Sequence, residues 1–120
     1  MKSYKDLEIY KESFDLAVRI YRLSMKLPHP DRFETGNQIR RSSQTIKDTI
    51  VEGYGRRRYK ADFLKFLVYS HSSLLESTTQ SEFLATIHPG TGWNEIATDL
   101  DNLGKKISKF IEYVENNWKA

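Results

Sequence analysis

The sequence predicts an all-α protein that folds as an antiparallel up-down-up-down four-helix bundle. Apolar residues recur at alternating spacings of three and four, which places them on one face of a helix. No segment of useful length shows the two-residue alternation that is typical of a half-buried strand. Short connections marked by proline or glycine separate the segments, and short connections favour antiparallel neighbours. We expect one domain spanning residues 1–120, with helices at about 5–27, 36–54, 60–87 and 93–118.

An aromatic-rich stripe predicts the first helix. Ser3 or Asp6 is a candidate cap for its N-terminus. Pro28 and Pro30 cannot continue the helical hydrogen-bond ladder, so the helix should end near Leu27. The residues expected on the buried face are Leu7, Tyr10, Phe14, Ala17 and Tyr21.

Thr35 is predicted to open the second helix. Its hydroxyl can accept a hydrogen bond from the backbone of Gln38 while the Gln38 side chain reaches back, which is a capping box. Gly53 and Gly55 should end the helix. The expected buried edge is thin and is padded with small residues that let a neighbouring helix approach closely. These residues are Ile39, Ile46, Ile50, Ser42, Ser43 and Thr49.

The third and fourth helices carry longer apolar stripes. The sequence from His88 to Gly92, HPGTG, separates them. In the third helix the expected contact residues are Phe63, Phe66, Leu67, Leu74, Leu75 and Leu84, with the small residues Ser70, Ser73 and Ser77. The fourth helix alternates by four and three as coiled-coil seams do. Its seam is Ile96, Leu100, Leu103, Ile107, Phe110 and Val114, widened by Ile111 and Trp118.

Four such helices bury one central seam, and some aromatic side chains should remain on an outer face. Exposed apolar surface of this kind commonly marks self-association. The candidates for exposure are Tyr54, Tyr59, Tyr69, Tyr113 and Trp118.

Composition excludes several classes of protein. Hydrophobic residues make up 38% of the chain and charged residues 29%. These are values of a globular protein and not of a disordered one. The chain has no cysteine, which excludes disulfides, thiolate catalysis and zinc–cysteine sites. No apolar run approaches the roughly 20 residues of a membrane span, and the acidic start of the sequence is unlike a secretory signal. We expect a cytoplasmic protein without membrane contact.

Charge is distributed unevenly along the chain. Residues 1–60 hold 14 of the 19 basic residues and 8 of the 16 acidic ones, so the excess of positive charge lies in the first half. All arginines precede Lys60. Such asymmetry indicates a polyanion or an acidic protein surface as partner.

Motifs tied to catalysis or to cofactors are missing. The sequence has no GxGxxG, no phosphate-binding loop, no HExxH and no calcium loop, and its histidines lack the spacing of a helical metal pair. We therefore expect no enzyme, cofactor or metal. One weak alternative is a ribonuclease, because Arg22 and His29 match the Arg-x(4–6)-His element of some all-helical ribonucleases, although Leu23 replaces the polar residue usual after that arginine.

The most basic stretch runs from residue 40 to residue 60. Guanidinium groups bind phosphate oxygens in pairs and tyrosine rings can stack on unpaired bases, so this mixture suits RNA or single-stranded DNA. The candidate nucleic-acid-binding residues are Arg40, Arg41, Lys47, Tyr54, Arg56, Arg57, Arg58, Tyr59 and Lys60. The alternative is a protein-interaction scaffold in which these cations meet acidic residues of another subunit.

Two of these arginines can also pair within the chain. Arg41 can reach Glu76 across the bundle, and Arg56 can reach Glu52 one turn away. Nothing in the spacing of the two carboxylates requires a catalytic cleft.

The string QIRRSSQTIKDTIVEGYGRRR, residues 38–58, and the string DFLKFLVYSHSSLLES, residues 62–77, resemble a known bacterial family. The sequence is similar to the four-helix-bundle proteins encoded in 23S rRNA intervening sequences, which are related to the accessory protein of diversity-generating retroelements. The similarity covers nearly the whole chain. The sequence departs from the family pattern at Thr49, Val51, Tyr59 and Ser72.

This resemblance implies a ring-like homo-oligomer, with a pentamer favoured. The retroelement relatives imply binding to nucleic acid and to a reverse transcriptase or another protein. Five copies would raise the net charge from +3 to about +15 and turn weak contacts into avid binding.

Overall fold

The computed structural model describes residues 3–119. A single 3₁₀ turn at Tyr4–Asp6 precedes four α-helices. The four helices are α1 (Glu8–Ser24), α2 (Thr35–Gly55), α3 (Lys60–Ile87) and α4 (Trp93–Asn117). Within residues 3–119 there is no strand, and the helices pack into an elongated bundle of 48 × 20 × 20 Å. The all-α prediction is confirmed.

The N-terminal cap belongs to the 3₁₀ turn and not to α1. The Ser3 hydroxyl accepts a hydrogen bond from the Lys5 amide at 3.1 Å, and the Asp6 carboxylate accepts one from the Ser3 amide at 3.1 Å. α1 begins only at Glu8, after Leu7, which makes no side-chain cap. The helix ends at Ser24, before the predicted Leu27.

The predicted buried face of α1 is wrong in part. Leu7 and Ala17 are buried, but Phe14 is 45% exposed and Tyr21 is 50% exposed. The residues that do face the core are Ile9, Ser13, Leu16, Ala17, Ile20 and Ser24. A second stripe with the same spacing lies beside the first, and the smaller aliphatic and hydroxyl side chains fit between the neighbouring helices better than large rings do.

The predicted capping box at Thr35 is also wrong. Glu34 occupies the N-cap position, and no side-chain hydrogen bond caps the helix. Backbone carbonyls of the preceding loop bind the first amides instead, with the Gly36 amide 2.7 Å from the Asp31 oxygen and the Gln38 amide 3.1 Å from the Glu34 oxygen. The loop therefore supplies the acceptors that a threonine hydroxyl would otherwise provide.

Small side chains hold α2 and α3 close together, as the sequence predicted. Ser42 and Ser77 are buried with their hydroxyl oxygens 2.7 Å apart, and the buried Ser70 hydroxyl donates to the Ile46 carbonyl at 2.7 Å. A Cβ on Gly53 would lie 3.1 Å from the Phe66 Cβ. Hydroxyls that bond one another across the interface satisfy groups that would otherwise be costly to bury.

The buried stripes of α3 and α4 largely follow the prediction. On α3 the residues Phe63, Leu67, Leu74 and Leu84 are buried, whereas Leu75 is 54% exposed. On α4 the seam residues Ile96, Leu100, Leu103, Ile107 and Val114 are buried, and Phe110 is partly buried. Trp93 is almost completely buried, which the sequence analysis did not predict.

Ion pairs join α1 to α4. Arg19 lies 2.8 Å from Asp99, and the Lys106 ammonium donates to Glu8 at 3.0 Å and to Glu12 at 2.9 Å. The hydrogen bond from Lys106 lowers the pKa of Glu8 below its ordinary value, and the bonds to Glu12 and then Glu8 raise the pKa of Lys106 above its ordinary value. These pairs are solvent-accessible, so water and salt screen them.

Several large apolar side chains remain on the outside. The prediction of exposure is confirmed for Tyr59, Tyr69 and Tyr113, whereas Trp118 is only partly exposed. It is wrong for Tyr54, which is buried. None of the helices between residues 3 and 119 is long and apolar enough to cross a bilayer.

Candidate nucleic-acid interface

Four residues connect α2 to α3, namely Arg56, Arg57, Arg58 and Tyr59, and we call them the arginine loop. The backbone of the loop continues the last turn of α2. The Arg56 amide bonds to the Gly53 oxygen at 3.0 Å, and the Tyr59 amide bonds to the Arg56 oxygen at 2.9 Å. The loop is thus a short hydrogen-bonded turn that carries three consecutive arginines.

Arg56 is partly neutralised by neighbouring acids. Its guanidinium lies 3.8 Å from Glu52 and 3.7 Å from Asp62, and it sits 4.9 Å from the centre of the Phe66 ring. The predicted pair with Glu52 is confirmed. These contacts orient Arg56, but the two nearby carboxylates weaken its attraction for a phosphate.

Arg57 is held by Tyr54. Its guanidinium carbon lies 4.0 Å from the centre of the Tyr54 ring, and its Nη1 donates to the Tyr54 carbonyl at 3.0 Å. The indole Nε1 of Trp118 donates to the Arg57 carbonyl at 3.2 Å. No carboxylate of residues 3–119 forms an ion pair with this guanidinium.

Tyr54 itself cannot stack on a base in this conformation. Its side chain is only 5% exposed and packs edge-on against Phe63, with the ring centres 6.5 Å apart. The sequence placed Tyr54 beside the arginines correctly but assigned it to the wrong side of the helix. In this structure the Tyr54 ring packs against the Arg57 guanidinium and positions it.

Arg58 and Tyr59 are the most available residues of the arginine loop. Tyr59 is 64% exposed, and Arg58 is exposed without a side-chain hydrogen bond, ion pair or ring contact to residues 3–119. A shallow cleft of about 320 Å³ opens beside Arg58. Its lining residues are Gly55, Arg57, Arg58, Trp118 and Lys119.

Lys60 has a structural role. Its ammonium donates to the Glu115 carbonyl at 2.6 Å, near the C-terminal end of α4. At that position a cation satisfies a free carbonyl and complements the helix dipole. Lys60 therefore ties the start of α3 to the end of α4.

The candidates within α2 do not cluster with the arginine loop. Arg40 lies sixteen residues before Arg56 in the sequence. That separation corresponds to about 24 Å along a helix. The Arg40 guanidinium donates to the Ser24 hydroxyl and to the Arg32 carbonyl, both at 2.8 Å. Lys47 donates to Asp48 at 2.8 Å.

The Arg41 side chain makes no hydrogen bond or ion pair with residues 3–119. It is exposed, and the predicted pair with Glu76 does not form. Of the nine sequence-predicted residues, the structure therefore brings three exposed and unpaired ones together, Arg57, Arg58 and Tyr59. It adds Trp118 and Lys119, which the sequence analysis missed because they lie about sixty residues away along the chain.

The histidines do not form a metal centre. Residues 3–119 contain no group of three or more side chains that could hold a metal ion. His71 lies 3.2 Å from the Ser108 hydroxyl and links α3 to α4, and His88 lies 2.6 Å from Asp31. His29 is exposed beside Phe33, and it makes no hydrogen bond with Arg22.

The family model of the 23S rRNA-intervening sequence protein matches residues 5–112. The chain belongs to this family. Both segments on which the resemblance was based, residues 38–58 and 62–77, lie inside the matched range. The family description gives a genomic setting and no molecular activity.

A solved structure supports the fold. The chain is similar to a crystal structure of a protein of unknown function from the S23 ribosomal protein family of Bacteroides thetaiotaomicron, with a TM-score of 0.77 and 24% sequence identity. The match covers 87% of this chain and 95% of the other. No curated protein matches the sequence significantly.

Proposed function

We propose that this member of the 23S rRNA-intervening sequence protein family is a cytoplasmic, non-enzymatic accessory factor that binds RNA or DNA as a homo-oligomer. One observation on the arginine loop carries the proposal. Arg57 and Arg58 form no ion pair with a carboxylate of residues 3–119, and they lie beside the exposed ring of Tyr59. Unpaired guanidinium groups next to an exposed aromatic ring suit a phosphate backbone with accessible bases.

Each residue of the interface has a separate role in this proposal. Arg58 and Lys119 contact phosphate oxygens, and Arg57 presents a guanidinium that Tyr54 already holds in place. Because that guanidinium is ordered before binding, less conformational entropy is lost when it meets a phosphate. Tyr59 stacks on an unpaired base. Arg56 keeps the loop in shape through its acidic neighbours at the end of α2 and the start of α3.

Self-association would provide affinity that one chain lacks. Exposed apolar side chains on α1 and α3 support a homo-oligomer, since patches of this kind commonly mark protein interfaces. They include Phe14, Tyr21, Val68, Leu75 and Phe83. A ring of five copies, which the family resemblance favours, would carry five arginine loops on one particle and bind a polyanion avidly.

Within each subunit we propose the up-down-up-down arrangement of antiparallel helices. The contact of Ser42 with Ser77 and the contact of Asp31 with His88 support it, because residues that come later in α3 meet residues that come earlier in α2 and in the loop before it.

A protein-interaction scaffold is the second candidate. Exposed carboxylates along α4 favour it, because they could receive the arginine loop of a neighbouring subunit or resemble the surface of an acidic partner. They include Glu95, Asp101, Glu112 and Glu115. A reverse transcriptase is a proposed protein partner in either case.

The test is a salt series with purified full-length protein, labelled structured RNA and labelled single-stranded DNA. We expect micromolar or tighter binding that weakens steeply as salt rises, and a smaller slope in the Arg57→Ala/Arg58→Ala variant. The matched control is Lys11→Ala/Arg22→Ala, which removes two exposed cations without an ion pair or side-chain hydrogen bond to residues 3–119. It should bind almost as well as the wild type.

Light scattering in the same buffers separates the two candidates. An intact oligomer that binds no nucleic acid at low salt contradicts the accessory-factor proposal and favours the scaffold. Loss of the oligomer in the Arg57→Ala/Arg58→Ala variant would place the arginine loop in the subunit interface.

A further inference from the structure

Two exposed aromatic rings and a partly buried arginine lie together at the end of α2 that is remote from the arginine loop. They are His29, Phe33 and Arg32, and we call them the Phe33 platform. Phe33 lies two residues before the start of α2, whereas the arginine loop follows its end, and α2 is 21 residues long. A helix of that length separates the two surfaces by about 32 Å. The platform is therefore a second surface and not an extension of the first.

The side chains of Arg32 and His29 both pack against the Phe33 ring. Phe33 is 61% exposed, the guanidinium of Arg32 lies 5.1 Å from the centre of its ring, and the His29 ring meets it edge-on with the ring centres 5.5 Å apart. A cation over one face of a phenyl ring leaves much of the ring open. Aromatic rings and guanidinium planes are the two kinds of surface on which proteins stack unpaired bases.

The loop that carries the platform is held firmly. The Phe33 amide bonds to the Pro30 carbonyl at 2.9 Å, and the Arg32 carbonyl accepts from Arg40 at 2.8 Å. Asp31 lies 2.6 Å from His88, which anchors the loop to the end of α3. The exposed ring is thus presented by a rigid segment, and stacking on it would cost little ordering of the protein.

The charged residues around the platform balance, two cations against two carboxylates, so the platform itself adds no net charge that attracts a phosphate. Arg32 makes no ion pair with residues 3–119, and its Nε is buried without a hydrogen-bond partner in that range. Lys26 is exposed nearby in the same connection between α1 and α2. Asp31 is engaged by His88, so Glu34 is the exposed carboxylate of this loop.

We propose that the Phe33 platform stacks an unpaired base of a single-stranded nucleic acid. This inference rests on the proposed function, because the arginine loop supplies most of the phosphate contacts. The platform adds a second contact that depends on the base and not on the phosphate. A strand that reaches both ends of α2 is therefore held at two points, which raises the affinity through effective concentration.

The experiment compares two probes of equal length, a 20-nucleotide oligothymidylate and an abasic strand that keeps the sugar–phosphate backbone. Both are titrated with wild-type protein, Phe33→Ala, Phe33→Tyr and the control Tyr113→Ala, which removes another half-exposed aromatic ring, on α4. We expect Phe33→Ala to lose about tenfold affinity for oligothymidylate and none for the abasic strand. Phe33→Tyr and Tyr113→Ala should retain wild-type affinity for both.

Three results would overturn the inference. An equal loss on both probes would mean that Phe33 acts on the fold or on the phosphates. A change in particle mass for Phe33→Ala would assign the ring to contact with a second copy of the chain. Unchanged binding of Phe33→Ala to oligothymidylate would show that Phe33 does not stack on a base, and would leave the proposal for the arginine loop standing. Absence of binding by the wild type would instead overturn the proposed function, and the inference with it.

Discussion

The guanidinium carbon of Arg57 lies 4.0 Å from the centre of the buried Tyr54 ring, so a residue of the hydrophobic core positions a cation of the surface. Such a cation–π contact contributes roughly 0.5–1 kcal/mol at a partly exposed site. It also couples two properties that are otherwise independent, because loss of the ring affects both the stability of the bundle and the direction of Arg57.

Replacing Tyr54 should separate these two effects. Tyr54→Ala removes a buried ring and should lower the free energy of unfolding by about 3–5 kcal/mol, as measured by urea denaturation. Tyr54→Phe keeps the ring beneath Arg57, and the hydroxyl makes no hydrogen bond to residues 3–119, so stability and nucleic-acid affinity should stay near wild type. A loss of affinity in Tyr54→Phe with unchanged stability would instead assign the hydroxyl to the nucleic-acid interface.

Two glycines near the end of α2 should respond in opposite ways to alanine. A Cβ on Gly53 would lie 3.1 Å from the Phe66 Cβ and 3.3 Å from the Phe63 carbonyl oxygen, whereas a Cβ on Gly55 would meet nothing within 4 Å. Gly53→Ala should therefore destabilise the bundle by about 1–3 kcal/mol. Gly55→Ala should be neutral or stabilising by up to about 1 kcal/mol. Thermal unfolding of both variants measures the difference, and equal effects would contradict the close packing of α2 on α3.

Two adjacent arginines on α2 provide another matched pair. Arg40→Ala removes donors to the Ser24 hydroxyl and to the Arg32 carbonyl. We expect this change to lower the free energy of unfolding by about 1–3 kcal/mol. The Arg41 side chain is exposed and makes no hydrogen bond or ion pair with residues 3–119. Arg41→Ala should therefore change stability by no more than about 0.5 kcal/mol. Denaturant titration is the measurement, and equal stability of both variants would show that Arg40 does not hold the loop before α2.

The ion pairs between α1 and α4 should make stability depend on pH. Because the hydrogen bond from Lys106 lowers the folded pKa of Glu8, its contribution is present above the unfolded pKa and is lost as the pH falls through the lowered value. Glu8→Gln should therefore be less stable than the wild type at neutral pH and equally stable in strong acid. Thermal unfolding across the acid range measures this difference.

The control for Glu8 is Asp15→Asn, which changes an exposed carboxylate of α1 that makes no ion pair with residues 3–119. About 1 M salt should reduce the difference between Glu8→Gln and the wild type, because the charges of the pair are exposed. A difference that persists unchanged in salt and acid would show that Glu8 stabilises the helix by some other means.

The sequence was sufficient to predict the buried residues of a helix that has a single strong apolar stripe. The α4 seam from Ile96 to Val114 has one dominant period, and its predicted residues are buried or partly buried. On α1 two stripes overlap, and spacing alone could not decide whether Phe14 or Leu16 faces inward. Only the space left by α2 and α4 decides between them, and that space is a property of the assembled bundle.

The candidate site was only partly predictable for a similar reason. The local sequence identified the arginine loop, because four basic or aromatic residues follow a helix end. It could not reveal that Lys60 binds the Glu115 carbonyl or that Arg40 binds Ser24, since those partners come from other helices. Nor could it indicate that the residues at the end of α4 reach the same cleft.

The buried pair Ser42 and Ser77 has a consequence for how the helices find their alignment. Apolar side chains tolerate sliding, since one methyl group contacts another almost as well after a shift along the axis. Hydroxyls do not, because sliding α3 along its axis breaks the 2.7 Å contacts of the Ser42 hydroxyl with the Ser77 hydroxyl and with the Gln80 side chain. A hydrogen bond of this kind contributes about 0.5–1.5 kcal/mol. These hydrogen bonds thus favour one alignment of α3, the longest of the four helices, against α2, and with it one position of the arginine loop relative to the C-terminal end of α4.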